Sequence, residues 1–234
     1  MRLLITRPEP EAERTAEALR AYGHDVLMAP MLCFDPVHGI LPDQAFAAVV
    51  MTSANAARAL HAQSWRERLT SLPAFTVGRH TADAARATGF LEVYSADGDR
   101  NDLAKMLSDR FGASHAELAY LCAENRAGDA GLPGTSFAVV PVVVYRMLKA
   151  AEFPDAIQAA LSQRKIEGVM HFSKRSAEAY INSALRCGVM EGALAPAHYC
   201  LSAQVAAPLA AYDAGGIKIA ARPDEAALIE LVNS

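Results

Sequence analysis

The chain has 234 residues, against about 100–150 for one typical domain, so two domains are expected. With 52% hydrophobic and 21% charged residues it carries enough apolar side chain for packed cores, which excludes disorder over long stretches. A formal charge of −4 and a sequence pI near 6.0 exclude the basic face that nucleic acid requires, so an anionic ligand has to be held by local groups.

Aromatics are scarce and alanine is abundant, which favours close helix packing over a sandwich of large side chains. Cys33, Cys122, Cys187 and Cys200 form no CxxC pair and read as buried thiols of a reducing compartment. His198 and Cys200 could make half a metal site, but with no further ligands at fixed spacing they read as packing residues, and no metal is expected. No basic region followed by an apolar run opens the chain, and no segment reaches about 18 consecutive apolar residues. A cytoplasmic protein without a membrane partner is expected.

In chain order, short β-rich runs are predicted at 3–6, 26–28, 49–51, 75–77, 92–94, 118–122, 168–172, 199–201 and 217–219. Helical spacing fills the gaps, as in Glu11–Tyr22, Thr81–Thr88 and Ser176–Leu185, and Gly23, Gly89 and Gly188 supply stop signals. Strands separated by single helices predict βαβ units with parallel sheets, and continuously apolar strands predict helices on both faces.

The order contains a repeat. Val50-Met-Thr-Ser53-Ala-Asn-Ala-Ala57 resembles Met170-His-Phe-Ser173-Lys-Arg-Ser-Ala177, each a strand running into serine and an alanine-rich helix. The next unit, Val77-Gly78 through Gly89, aligns loosely with Leu201-Ser202 through Gly215, and Leu103–Leu107 matches Leu228–Val232. Three matched units in one order predict duplicated α/β domains. Between them, Ala29-Pro30 to Phe34 and Val140-Pro141 to Tyr145 read as extended edge or connecting segments, because proline is unwelcome in a central strand. They are expected to be two linkers, 34–36 and 144–148, pairing as a ribbon. One domain would then span 37–143 and the other, discontinuous, 1–33 and 149–234.

The signatures GxGxxG after a strand, GxxxxGK[ST], HExxH and GxSxG are absent, which disfavours a nucleotide-dependent transferase and the common hydrolases. Gly128, Gly131 and Gly134 are spaced like a turn rather than a phosphate cradle. What remains is a series of strand-to-helix turns with hydroxyl, amide and basic residues: Thr6-Arg7, Thr52-Ser53-Ala-Asn55, Gly78-Arg-His-Thr81, Glu124-Asn-Arg126, Ser173-Lys-Arg-Ser176 and Ser202. In open parallel sheets such turns lie at the ligand-binding carboxyl ends of the strands, where free N–H groups and the helix dipole favour anions. Each serine or threonine alone reads as an N-cap and each basic residue as surface charge; recurrence at successive strand ends points to a ligand.

These turns, with Thr6-Arg7-Pro8 at the start and Val144-Tyr145 in the second linker, resemble the uroporphyrinogen-III synthase family over essentially the whole chain. Where the family has a second Gly-x-x-Thr-Ala turn, this chain has Ser202-Ala-Gln-Val205-Ala206, and Val205 cannot supply the threonine hydroxyl. The resemblance implies two flavodoxin-like parallel-sheet domains joined by a two-stranded linker, a monomer, an active site between the domains, and no metal or organic cofactor. It implies hydroxymethylbilane as the substrate, a linear tetrapyrrole with eight carboxylate arms. Loss of its hydroxyl as water gives an azafulvene, attack by the substituted carbon of ring D gives a spiro intermediate, and fragmentation and reclosure leave ring D inverted in uroporphyrinogen III.

The substrate closes unaided to the non-inverted isomer, so the protein's contribution is orientation, with one general acid desirable for the leaving hydroxide. By resemblance, Tyr145 is the candidate acid, since a free phenol, with a pKa of about 10, is protonated at neutral pH. Arg7, Ser53, Asn55, Gly78, Thr81, Ser173, Ser176 and Ser202 are the candidate substrate contacts. The competing reading is a non-catalytic two-domain clamp for an anionic metabolite.

Overall fold

Every predicted apolar run is a strand in the computed structural model, which describes residues 1–112, 114–125 and 137–234. Arg126 and the three glycines 128, 131 and 134 lie outside the described residues. The chain divides into two units, Met1–Cys33 with Leu148–Ser234 (unit 1) and Phe34–Met147 (unit 2).

Unit 1 holds strands β1 (Arg2–Ile5), β2 (Asp25–Met28), β9 (Gly168–His171), β10 (Ala197–Cys200) and β11 (Ile217–Ile219) in the spatial order β2-β1-β9-β10-β11, all parallel. Its helices are α1 (Glu11–Ala21), α6 (Asp155–Ser162), α7 (Lys174–Arg186), α8 (Met190–Leu194), α9 (Ala203–Ala210) and α10 (Glu225–Asn233). In unit 2 the parallel strands are β4 (Ala48–Met51), β5 (Ala74–Thr76), β6 (Val93–Ser95), β7 (Glu117–Ala123) and β8 (Ala138–Lys149), ordered β8-β7-β4-β5-β6. Its helices are α2 (Ala54–Leu60), α3 (Arg66–Thr70), α4 (Arg79–Thr88) and α5 (Arg100–Phe111).

Numbered along the chain within each unit, the sheets read 2-1-3-4-5 and 5-4-1-2-3. They are the same flavodoxin-like arrangement circularly permuted, because unit 2 obtains from its last two strands what unit 1 obtains from its first two. β4 therefore corresponds to β9, β5 to β10 and β6 to β11, so the Ser53 and Ser173 turns fall on equivalent strand ends.

The continuously apolar strands are explained by two-faced burial. Successive side chains of a strand point to opposite faces, and Leu3 and Ile5 join one apolar cluster while Leu4 joins another. In unit 2, Val49 and Met51 face one cluster and Ala48 and Val50 the other. Each sheet is covered by helices on both sides, which leaves its carboxyl rim as the edge where the strand-to-helix turns collect.

The segment beginning at Val140 is more than a connection, and around Pro141 it is an edge of the sheet, one of the two readings that proline allows. It belongs to the twelve-residue strand β8, which pairs along β7 from Glu117↔Ala138 and is flanked by β3 (Leu32–Pro36) on its other side. Proline is tolerated there for a geometric reason. Ala138 N donates to Ala116 O on the β7 side, and N–H directions alternate along a strand, so the Pro141 nitrogen points away from β7. β3 reaches only the far end of β8: Val37 N donates to Val144 O and Ala150 N to Met31 O, an antiparallel register that leaves Pro141 beyond the pairing. The ribbon carries an ion pair, Arg146 Nε to Asp35 Oδ2 at 2.7 Å, and a Phe34–Tyr145 ring contact at 5.6 Å.

Candidate functional site

In unit 1 the rim is built by the turns after β1, β9 and β10, which are neighbours in the sheet. Ser173 is the N-cap of α7, in extended backbone with φ −148° and ψ 149°, and its Oγ accepts from Ser176 N at 3.1 Å. The cap is doubled by Ser176, whose hydroxyl lies 2.9 Å from that of Ser173 in a position 1% exposed. A ligand would therefore feel Ser176 through the shape of the cap. Ser202 caps α9 in the same way, accepting from Val205 N at 3.4 Å.

Arg7 follows β1. Its Nη1 pairs with Glu225 Oε2 at 3.0 Å and donates to Thr15 Oγ1 at 3.0 Å, and its guanidinium carbon stands 4.2 Å from the centre of the Phe172 ring. The guanidinium is thus fixed beside the residue that precedes the Ser173 cap. In the sequence Phe172 reads only as the residue of the strand end that runs into Ser173, and Glu225 lies outside the motifs. Only the fold joins Glu225, on the last helix, to a residue of the first turn.

The unit 2 rim repeats the pattern on β4 and β5. Ser53, with φ −148° and ψ 138°, accepts from Asn55 N at 3.2 Å. The Asn55 side chain is engaged within the unit, accepting from Arg58 at 2.7 Å and donating to Met147 Sδ at 3.8 Å. At the N-terminus of α4, Gly78 is the N-cap without a side chain to offer; its φ of −148° is extended backbone open to any residue, and an added Cβ would meet nothing within 4 Å. Glycine here keeps the first amides of α4 uncovered rather than relieving strain or crowding. Thr81, three residues on, is 7% exposed, and its counterpart Val205 is 6% exposed. Both fill core at the third helical position, so the threonine-to-valine departure exchanges a buried hydroxyl for a methyl and leaves the turn's backbone intact.

Tyr145 sits opposite Ala123, the last residue of β7, immediately after a register shift at Cys122/Ala123. A bulge re-aims the side chains beside it. Since Met51 pairs with Leu121, Ser53 also lies level with Ala123, and two strand spacings put Tyr145 about 10 Å from the Ser53 turn. Tyr145 is 7% exposed and packs in the core with Val142, Val144 and Phe34.

Among the described residues no group of three or more His, Cys, Asp or Glu side chains could hold a metal ion, and no helix is long and apolar enough to cross a membrane. Within unit 1, His198 packs beside His171 and Cys200 is buried with its Sγ 4.0 Å from His198 O, so the pair serves as core.

The family model described as uroporphyrinogen-III synthase HemD matches residues 13–230. The chain belongs to the uroporphyrinogen-III synthase family. It is a cyclising hydro-lyase of tetrapyrrole biosynthesis, closing hydroxymethylbilane with loss of water and inversion of ring D. The fold agrees with two solved members. Uroporphyrinogen-III synthetase from Helicobacter pylori is 19% identical, with a TM-score of 0.64 over 100% of this chain and 99% of that one. A mutant uroporphyrinogen III synthase from the extremely thermophilic bacterium Thermus thermophilus is 14% identical, with a TM-score of 0.51 over 100% of this chain and 97% of that one. A comparison with curated proteins gives no match.

Proposed function

We propose that the carboxylate arms of hydroxymethylbilane are held by the sheet rims, through Arg7, Ser173, Ser176 and Ser202 of unit 1 and Ser53, Asn55, Gly78 and Thr81 of unit 2, and that Tyr145 assists departure of the hydroxyl. The observation that carries this reading is the recurrence of one turn, a capped helix start at the carboxyl end of a strand, on equivalent strands of both permuted sheets. The capping hydroxyls of Ser53, Ser173 and Ser202 are spent on their own helices, so the groups left for an anion are chiefly backbone N–H donors and the dipole of the longer helices. The substrate's eight negative charges match donors of this kind, which bind carboxylates without a permanent cation at every arm. Units 1 and 2 are proposed to be the two domains, with 34–36 and 144–148 as their linkers. All four cysteines are free, the condition of a reducing compartment, and the enzyme is proposed to act as a monomer in the cytoplasm.

The deciding experiment supplies hydroxymethylbilane and identifies the uroporphyrin isomers after oxidation. Type III product above the unassisted background is expected; type I alone would identify a clamp without catalysis. Ser173→Ala tests the backbone emphasis. Loss of the cap should cost about 1 kcal/mol of stability, while KM should rise only a few-fold because the amides of α7 survive. A folded Ser173→Ala protein that no longer binds substrate would show that the hydroxyl itself is the ligand contact.

A further inference from the structure

Behind Arg7 lies a network that neither its cap-like neighbours nor the turn motif requires. The Thr15 hydroxyl is fully buried, accepts from Arg7 Nη1, and stands 2.5 Å from Glu225 Oε1, while Arg14 Nη2 reaches Oε2 of the same carboxylate at 3.1 Å. One carboxylate thus uses one oxygen for Thr15 and the other for two arginines. Its backbone is fixed as well, since Glu225 opens α10 next to Asp224, whose Oδ1 accepts from Ala227 N at 2.8 Å. Burial raises the Glu225 carboxyl pKa, but the Thr15 hydrogen bond and the charges of Arg7 and Arg14 outweigh it and hold the group below the ordinary glutamate value.

We propose that Glu225 is a positioning residue for substrate binding, holding the Arg7 guanidinium against the Phe172 ring so that its Nε–Nη2 edge receives a substrate carboxylate next to the Ser173 turn. This rests on the reading of Arg7 as a substrate contact. An arginine on a turn has a long, freely rotating side chain, and fork-like recognition of a carboxylate needs the guanidinium plane and direction fixed beforehand. Phe172 fixes the plane and Glu225 with Thr15 fixes the direction, both by way of Nη1, so the Nε–Nη2 edge takes no part in the internal pair. β1 and β9 are adjacent strands, which brings this edge and the first amides of α7 to one stretch of rim. The ligand chemistry fitted is one acetate or propionate arm, shared between a planar cation and backbone N–H groups.

The test is a cycle of steady-state measurements with hydroxymethylbilane. Glu225→Gln keeps the side-chain shape and an oxygen for Thr15 but removes the charge that orients Arg7. It should raise KM about tenfold with kcat within about twofold, the loss of one charge-assisted contact. Arg7→Ala should raise KM at least as much, and adding Glu225→Gln to it should change nothing further. Thr15→Val, which removes only the bridging hydroxyl, gives a second route should the Gln variant fold poorly: a smaller rise in KM, again only while Arg7 is present. Arg14→Ala, which strips the outer partner, should leave KM at the parental value. A folded Glu225→Gln enzyme with parental KM, or an effect that persists in the Arg7→Ala background, overturns the positioning role. Parental KM in Arg7→Ala itself overturns the assignment of Arg7 to the substrate, and the positioning proposal falls with it.

Discussion

Tyr145→Phe is expected to slow formation of type III product by about 10²–10⁴-fold, the range for removing general acid assistance, and to raise the share of type I product. The second effect follows from the chemistry: the substrate closes unaided to the non-inverted isomer, so whatever the weakened enzyme does not convert drains to type I. The substitution is well suited to the structure. Tyr145 is buried among Val142, Val144 and Phe34, and phenylalanine retains nearly all of that packing, including the ring contact with Phe34. Stability should change by no more than one hydrogen bond's worth, about 0.5–1.5 kcal/mol. The bulge at Cys122/Ala123 gives the side chain its direction and is a backbone feature that the variant keeps. Turnover of Tyr145→Phe at the parental rate, with the parental isomer ratio, would make Tyr145 a packing residue of the ribbon. Proton delivery would then fall to a bound water or to the substrate's own carboxylates.

Where sequence and structure agree, the reason is local. The strands could be read because burial on both faces demands continuous apolar residues, and the turns because a capping serine at a strand end leaves the same trace each time, as at Ser53, Ser173 and Ser202. Gly78 could be placed at a helix start but not explained, since its extended φ and the open space around it exist only in three dimensions. At Pro141 the sequence left edge and connection both open, because the rule against proline in strands depends on which side the missing N–H faces, and that is decided by the neighbours β7 and β3.

The permutation was invisible for a similar reason. Local order along the chain is the same in both units from β4 and β9 onward, and only strand adjacency shows that β7 and β8 stand where β1 and β2 stand. Arg7 was legible as a basic residue at a strand end, whereas its partner Glu225 was not, because no short-range pattern connects the first turn of the chain to its last helix. The same holds for His171 and His198. Each is one residue in an apolar strand, and their contact is created by pairing β9 with β10.

That histidine pair gives the expectation that lowering the pH from 7 to 5 unfolds unit 1 well before unit 2. Both rings are fully buried, stacked at 5.4 Å with His171 Nε2 and His198 Nδ1 3.2 Å apart, and Tyr180 meets both edge-on. Among the described residues His171 Nδ1 and His198 Nε2 find no hydrogen bond of ordinary geometry, although the Leu194 and Ala193 backbone lies close enough to His198 to favour its charged form somewhat. Desolvation dominates: it drives His198 down to about 4 and, with the neighbouring ring's charge, His171 well below its usual value. Tyr180 and Cys200, which pack at the pair, are both held neutral by burial, and among the described residues no ion pair compensates a proton on either ring.

The unfolded chain takes up two protons near the ordinary histidine pKa of about 6.5 while the native state takes up none, so stability falls as pH falls through that value toward 4. At its steepest the loss is about 2.7 kcal/mol per pH unit, a large part of an ordinary domain's total stability. Carboxylates held low by their partners, such as Asp97, Asp99 and Asp224, lose their contribution only below this window. Unit 2 serves as the internal control, because its histidines, His38, His61, His80 and His115, are all exposed and its Trp65 is the chain's one tryptophan. Urea titrations between pH 7 and 5 should show the tryptophan transition nearly stationary while the amides of β9 and β10 lose hydrogen-exchange protection. His171→Leu removes one of the two protons, and whatever it does to stability at pH 7 it should bring the acid slope of unit 1 down to about half. An unchanged slope in that variant would place the acid sensitivity elsewhere in the unit.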